Sequence, residues 1–160
     1  MRATVSTRMT FAALALLAGL SGCALPFTLS TPAGFARLET PAYSRYQYRA
    51  IAAYGVALAV RAESNGSHGD LDFWTEAVDR SVRQNGPYVA TGTAEARSAN
   101  GVRGRRLEYR LGEGAHGNLY RVLVFVTDAR VYVLEVGGSE EAMARGRAAV
   151  EQSLASFATR

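Results

Sequence analysis

The sequence predicts an α+β domain: an antiparallel β-sheet of about six strands with two helices packed against it. Three observations lead there. Apolar residues alternate with a period of two in several stretches, and two other stretches repeat every three to four residues. The connections between the later strands are too short for crossovers, so neighbouring strands must run antiparallel.

The chain begins with a segment laid out as a secretory signal. Arg2 and Arg8 supply a positive start, and Met9 to Leu20 is an apolar run. That run is well short of the roughly 20 residues a bilayer-spanning helix needs. It ends in Leu20-Ser21-Gly22-Cys23, which resembles the lipobox of the bacterial lipoprotein pathway. Small residues fit the peptidase site, and a thiol is needed to carry diacylglycerol as a thioether. Cys23 is the single cysteine, so it has no disulfide partner within the chain. The expectation is cleavage after residue 22 and a lipidated Cys23 as the membrane partner. The resemblance implies three acyl chains, palmitate among them, enough for stable anchoring. Ala24 stands where an inner-membrane retention signal would place Asp, which favours the outer membrane facing the periplasm.

Residues 23–34 carry two prolines and no clean period, and read as a tether. Residues 35–160 then form a single domain, large enough to fold without disulfide or metal. Val56, Leu58 and Val60 alternate with small or charged neighbours as a strand. Gly69-Asp70 opens a helix whose stripe is Leu71, Trp74, Ala77, Val78, Ser81 and Val82, closed by Asn85-Gly86-Pro87. Asn100-Gly101 is a strong hairpin turn between Tyr88–Arg97 and Arg103–Leu111. Leu107, Tyr109 and Leu111 face one way and Arg106, Glu108 and Arg110 the other, which puts this strand near an edge or beside a partly covered face. Val122–Val126 and Val131–Leu134 are apolar on both faces and are expected centrally. The residues between them are few enough only for a hairpin. Ser139 then caps a second helix that begins with Glu140 and Glu141, with Met143, Gly146, Val150, Leu154 and Phe157 on one face. The expected core includes Trp74, Val78, Val124, Val133, Val150, Leu154 and Phe157.

This order of elements resembles the PsbP-like fold, which includes DcrB-type lipoproteins. The likeness is carried by Tyr54-Gly55-Val56-Ala57-Leu58-Ala59-Val60, by the Phe73-Trp74 helix, and by Arg121 to Thr127 through Phe157. It implies an antiparallel sheet flanked by helices and used mainly for binding proteins, with no catalytic set to carry over.

Charge and inventory narrow the function. All eighteen basic residues are arginine, and the formal charge is +4. Removing Arg2 and Arg8 leaves 16 arginines against 14 acids, about +2. That is too weak a field to indicate nucleic-acid binding. No cofactor is indicated. His68 and His116 lie in separate glycine-rich loops without zinc-ligand spacing. Asp70 and Asp72 are explained by the helix start, and no serine lies in a nucleophile-elbow pattern. Glu135 is unusual as a charge in a valine-rich strand; it either leaves the sheet toward solvent or pairs with an arginine such as Arg121. Tyr46 and Tyr48 are expected on one strand face. Arg103, Arg105 and Arg106 cluster beside the hairpin turn as a candidate docking patch. The expectation is a lipid-anchored, non-catalytic envelope protein that binds or assists another envelope protein. A small-ligand or lipid carrier is the alternative, and an envelope hydrolase the remoter one.

Overall fold

The computed structural model describes residues 24–112 and 117–160. Cys23, His116 and the signal-like segment lie outside the described residues. Nine strands and two helices follow in the order β1 (Phe27–Thr28), β2 (Phe35–Arg37), β3 (Tyr48–Ala52), β4 (Ala57–Ser64), α1 (Leu71–Gln84), β5 (Val89–Arg97), β6 (Arg103–Leu111), β7 (Asn118–Val126), β8 (Arg130–Ser139), α2 (Glu140–Ala155) and β9 (Ala158–Thr159). Seven of the strands form one antiparallel sheet in the order β2-β3-β4-β8-β7-β6-β5, and β1 pairs separately with β9. The sheet is thus larger than the six strands expected. The additional strand, β2, is three residues long, and β1 and β9 outside the sheet are two each, all too short to display a period.

The most apolar strands, β7 and β8, sit at the centre, joined by a tight turn in which Thr127 N–H bonds the Arg130 carbonyl at 2.8 Å. Being covered on both faces, they tolerate few polar residues. One face packs against α2 through Leu58, Val60, Leu123, Phe125, Tyr132, Leu134 and Val136, with Val150, Leu154 and Phe157 from the C-terminal segment. The other packs against α1 through Leu107, Tyr109, Val122, Val124, Val131 and Val133, with Val78 from the helix. Val124, Val133, Val78, Val150, Leu154 and Phe157 are all buried.

Both helices are closed by caps of the expected chemistry. Asp70 Oδ1 accepts from Phe73 N at 2.8 Å, and Ser139 Oγ accepts from Ala142 N at 3.2 Å. Each supplies an acceptor to an otherwise unpaired first-turn donor. Gly146 is where α2 passes closest to the turn between β3 and β4. A Cβ there would lie 2.7 Å from the Tyr54 hydroxyl.

Trp74 packs against the α1-side core as expected but is only partly buried. Its ring meets Phe73 edge-on at 5.3 Å, and its Nε1 donates to Asn65 Oδ1 at 2.9 Å. The indole spans the rim of α1, with a polar end that needs a partner. The partner, Asn65, is 4% exposed and also donates to the Thr127 and Gly69 carbonyls.

Residues 24–34, expected as a tether, are held against the domain instead. Phe27 is 2% exposed, with its ring 5.9 Å from that of Phe157, and Leu25 and Leu29 pack on the same cluster. Arg160 N–H bonds the Pro26 carbonyl, Ser30 N–H bonds Ser156 Oγ, and Tyr48 Oη donates to Thr31 Oγ1. Three apolar residues spaced by two form a strap across the end of α2, a pattern too brief to stand out beside two prolines.

Candidate functional site

α1 lies chiefly over β6 and β7 on its side of the sheet, with Val131 and Val133 of β8 at its margin. Beyond its edge, the same face of β2, β3 and β4 carries Ala36, Arg49, Ile51 and Ala57, all exposed, with Ala59 half-exposed. Ile51 is 41% exposed, a large aliphatic side chain without cover. The boundary between covered and bare sheet holds the most elaborate polar cluster of the described residues.

Glu135 is its centre. Strand register sets it beside Ala59 of β4 and Val122 of β7, so its carboxylate points to the α1 face. Arg121 pairs with Val136 in register and points the other way. Of the two possibilities for Glu135, pairing with an arginine holds, but strand alternation excludes Arg121 as that arginine. Arg121 meets Glu108 at 3.2 Å and also bonds Glu151. Glu135 instead receives Arg61 Nε at 3.3 Å and Tyr46 Oη at 2.8 Å. Its side chain is 12% exposed and that of Arg61 is 16%, so the pair is largely withdrawn from water. Arg61 reaches onward to Glu63 at 2.8 Å, and Arg45 Nη2 donates to the Tyr46 hydroxyl at 3.0 Å.

Tyr46 precedes β3 and crosses to this face, whereas Tyr48 is buried against the α2 side. The two do not share a face, because the chain enters β3 only at Tyr48 and alternation does not extend back to residue 46.

Aromatic rings wall the cluster. Tyr88, just after the turn that ends α1, lies 5.2 Å from Tyr120 at 35°, and Tyr109 is 6.1 Å from Tyr120. Tyr109 Oη donates to Asp79 Oδ1 at 3.0 Å, tying the group to α1. Burial, then the negative field of Glu135, pushes the Tyr120 phenol far above its ordinary value. Burial, then Asp79, does the same to Tyr109, and Tyr46 is raised chiefly by burial. These phenols stay protonated at neutral pH, so they offer ring faces and O–H donors rather than phenolate bases. Beside the paired Tyr88 and Tyr120 rings opens a groove of about 420 Å³, whose lining also includes the small residues Ala57, Ala59 and Gly137. A second recess of about 180 Å³ continues past Arg45 and Arg61 toward Val82 and Asn85 of α1.

The arginine cluster does not form one patch. Gly104 lies opposite Phe125 in register, so Arg103 and Arg105 project to the α1 face and Arg106 to the other. Arg105 bonds Asp72 at 3.0 Å, Arg103 approaches Glu95 at 3.8 Å, and Arg106 approaches Glu108 at 3.4 Å. Arg103 and Arg105 do line a cleft of about 600 Å³ at the start of α1, with His68, Asp70, Asp72 and Asp128. His68 is exposed there with φ 51°, and among the described residues no three or more His, Cys, Asp and Glu side chains are grouped to hold a metal ion.

Glu135 was legible as an oddity in its strand. Arg61 carried the same signal in β4, but only the β4–β8 pairing joins the two. Tyr88 and Tyr120 gave no signal, since an isolated tyrosine beside a turn reads as ordinary packing.

The architecture is a PsbP-like fold: a two-helix α+β sandwich on an antiparallel sheet. Among solved structures, the chain is similar to LpqN of Mycobacterium tuberculosis, a protein involved in cell envelope biogenesis. The TM-score is 0.64 at 10% identity, covering 84% of this chain and 83% of LpqN. It is also similar to cyanobacterial PsbP (CyanoP) from Synechocystis, with a TM-score of 0.57 at 12% identity over 90% of this chain and 99% of CyanoP. No protein-family model matches the chain, and no curated protein matches it by sequence.

Proposed function

We propose that this chain is a lipid-anchored, non-catalytic envelope protein whose domain binds another envelope protein through the tyrosine-walled groove and the bare sheet beside it. The observation that carries the reading is the half-covered sheet. A face with Ile51, Ala57 and Ala59 open to solvent, bordered by Tyr88 and Tyr120, combines apolar area with rigid aromatic anchors. The Glu135–Arg61–Tyr46 cluster satisfies its own polar groups, which suits a docking surface better than a reaction centre. The signal-like start, the lipobox ending in Cys23, and the fold shared with a protein of cell envelope biogenesis support an envelope setting, with the outer membrane facing the periplasm as the favoured site.

Two measurements test it. Mass spectrometry of the mature N-terminus should find acylated Cys23, and Cys23→Ala should abolish attachment. Affinity capture from the native envelope should lose its partner with Tyr88→Ala and Tyr120→Ala together, and keep it with His68→Ala and His116→Ala together. The opposite pattern would refute the groove as the docking site.

A further inference from the structure

We infer that the strap fixes the domain's orientation on the membrane: the end bearing the 98–102 turn rests on the phospholipid headgroups, and the tyrosine-walled groove points away from the bilayer. This rests on the proposed lipidation of Cys23. The argument begins with chain length. Pro26 is pinned to the domain by Arg160 N–H at 3.0 Å, and Phe27 and Thr28 pair with Thr159 and Ala158. Only Ala24 and Leu25 lie between Cys23 and Pro26, so three chain steps span them, a reach of about 11 Å even when fully extended. A lipidated Cys23 therefore cannot hold the domain at a distance.

The end that must lie near the bilayer is set by what surrounds Pro26. Asn100 Nδ2 donates to the Thr159 carbonyl at 2.9 Å, Ala99 N–H bonds the Phe157 carbonyl at 2.7 Å, and Tyr132 Oη donates to the Arg160 carbonyl at 3.0 Å. The β5–β6 turn, the β7–β8 turn and the C-terminus thus share one end of the sheet with the anchor. Arg97, Arg103, Arg130 and Arg160 are exposed on this end, against Glu95 beside Arg103 and Asp128 in the β7–β8 turn. Cations there suit headgroup phosphates. The groove is at the other end: its lining residues Ala57 and Gly137 are register partners, and Gly137 lies seven strand steps, about 23 Å, from Arg130 at the lower turn. A partner must then reach the groove from the aqueous side, and a lipid drawn directly from the same bilayer would not meet it.

The test places a nitroxide on the acylated full-length protein at Ala99→Cys or, at the opposite end, Ala53→Cys. The Cys23 sulfur is a thioether once it carries the diacylglyceryl group, so only the new thiol takes the label. Vesicles of phosphatidylcholine and phosphatidylglycerol carry a headgroup-chelated nickel ion as relaxing agent. The label at residue 99 should relax several-fold more than the label at residue 53. A flexible Gly-Ser insertion between Cys23 and Ala24 should remove most of that difference without touching a folded residue, and Phe27→Asp should do the same by releasing the strap. Equal relaxation at the two positions overturns the orientation, and a difference that survives the insertion overturns the strap as what fixes it. A mature chain without acyl groups overturns the lipidation reading and the orientation together, whereas an acylated chain with equal labels overturns the orientation alone.

Discussion

Glu135 and Arg61 are each a charge placed in a strand whose other inward residues are apolar, and neither would be stable there alone. Together, with Tyr46 supplying a further hydrogen bond, they satisfy one another at the border of the bare sheet. Removing one partner leaves the others desolvated and unpaired, which costs more than the pair contributes. Glu135→Leu should therefore lower stability by about 1–3 kcal/mol in urea denaturation, and Glu135→Gln by less, because the amide keeps an acceptor. The tyrosines add a pH dependence. Tyr109 and Tyr120 have raised values in the folded chain, so above the ordinary tyrosine value near 10 the unfolded chain loses phenolic protons that the folded chain retains. Their contribution is complete below that pH and is lost as pH climbs above it. The urea midpoint should stay level through neutrality and fall above about pH 10, and Tyr120→Phe should flatten the fall.

At the scale of elements, the two helices are held in different ways. α2 lies on the apolar centre of the sheet with Ala142, Met143, Gly146, Val150 and Leu154 buried, whereas α1 buries Val78 and seals its rim with half-buried residues. α1 relies more on polar fastening at its start, where Asn65 gathers Trp74, Gly69 and Thr127. Asn65→Ala should cost about 1–3 kcal/mol by stranding buried donors and acceptors, and should raise hydrogen exchange in residues 65–74 first. The strap gives a second contrast. Phe27→Ala empties a fully enclosed site and should cost about 3–5 kcal/mol. Trp74→Ala removes a larger ring that is only half-buried, and should cost less, about 2 kcal/mol. Thermal or urea unfolding of the two variants side by side checks the order, which is the reverse of what a strap read as tether and a tryptophan read as core would give.

For the whole molecule, the uneven placement of the helices matters more than any single contact. α2 and the strap cover one face, while α1 leaves β2, β3 and β4 open on the other. A domain of this size has no need to cover every strand, and exposed apolar area on a soluble surface commonly marks an interaction site. Replacing Ile51 and Tyr88 with serine should therefore reduce partner capture by more than tenfold while leaving the unfolding midpoint within about a kilocalorie of the parent, since truncating two contact anchors typically exceeds 1.4 kcal/mol of binding. A large loss of stability instead would show that this face is structural.

The class of fold, the two helices with four strands between them, the helix starts at Asp70-Leu71-Asp72 and Ser139, and the two hairpins around Asn100-Gly101 and Thr127–Arg130 were determined by the sequence alone, while the short strands β1, β2 and β9 were not. Each of the former depends on residues a few positions apart, where side-chain period, cap chemistry and turn chemistry act directly. What only the tertiary structure decided is pairing and coverage: that Glu135 meets Arg61 and not Arg121, that Arg106 parts from Arg103 and Arg105, that Tyr46 and Tyr48 face opposite ways, and that residues 24–34 are a strap. Those outcomes turn on strand register and on which helix lies over which strands. A shift of one residue in register exchanges the two faces of a strand, and no local pattern records which partner a strand will find.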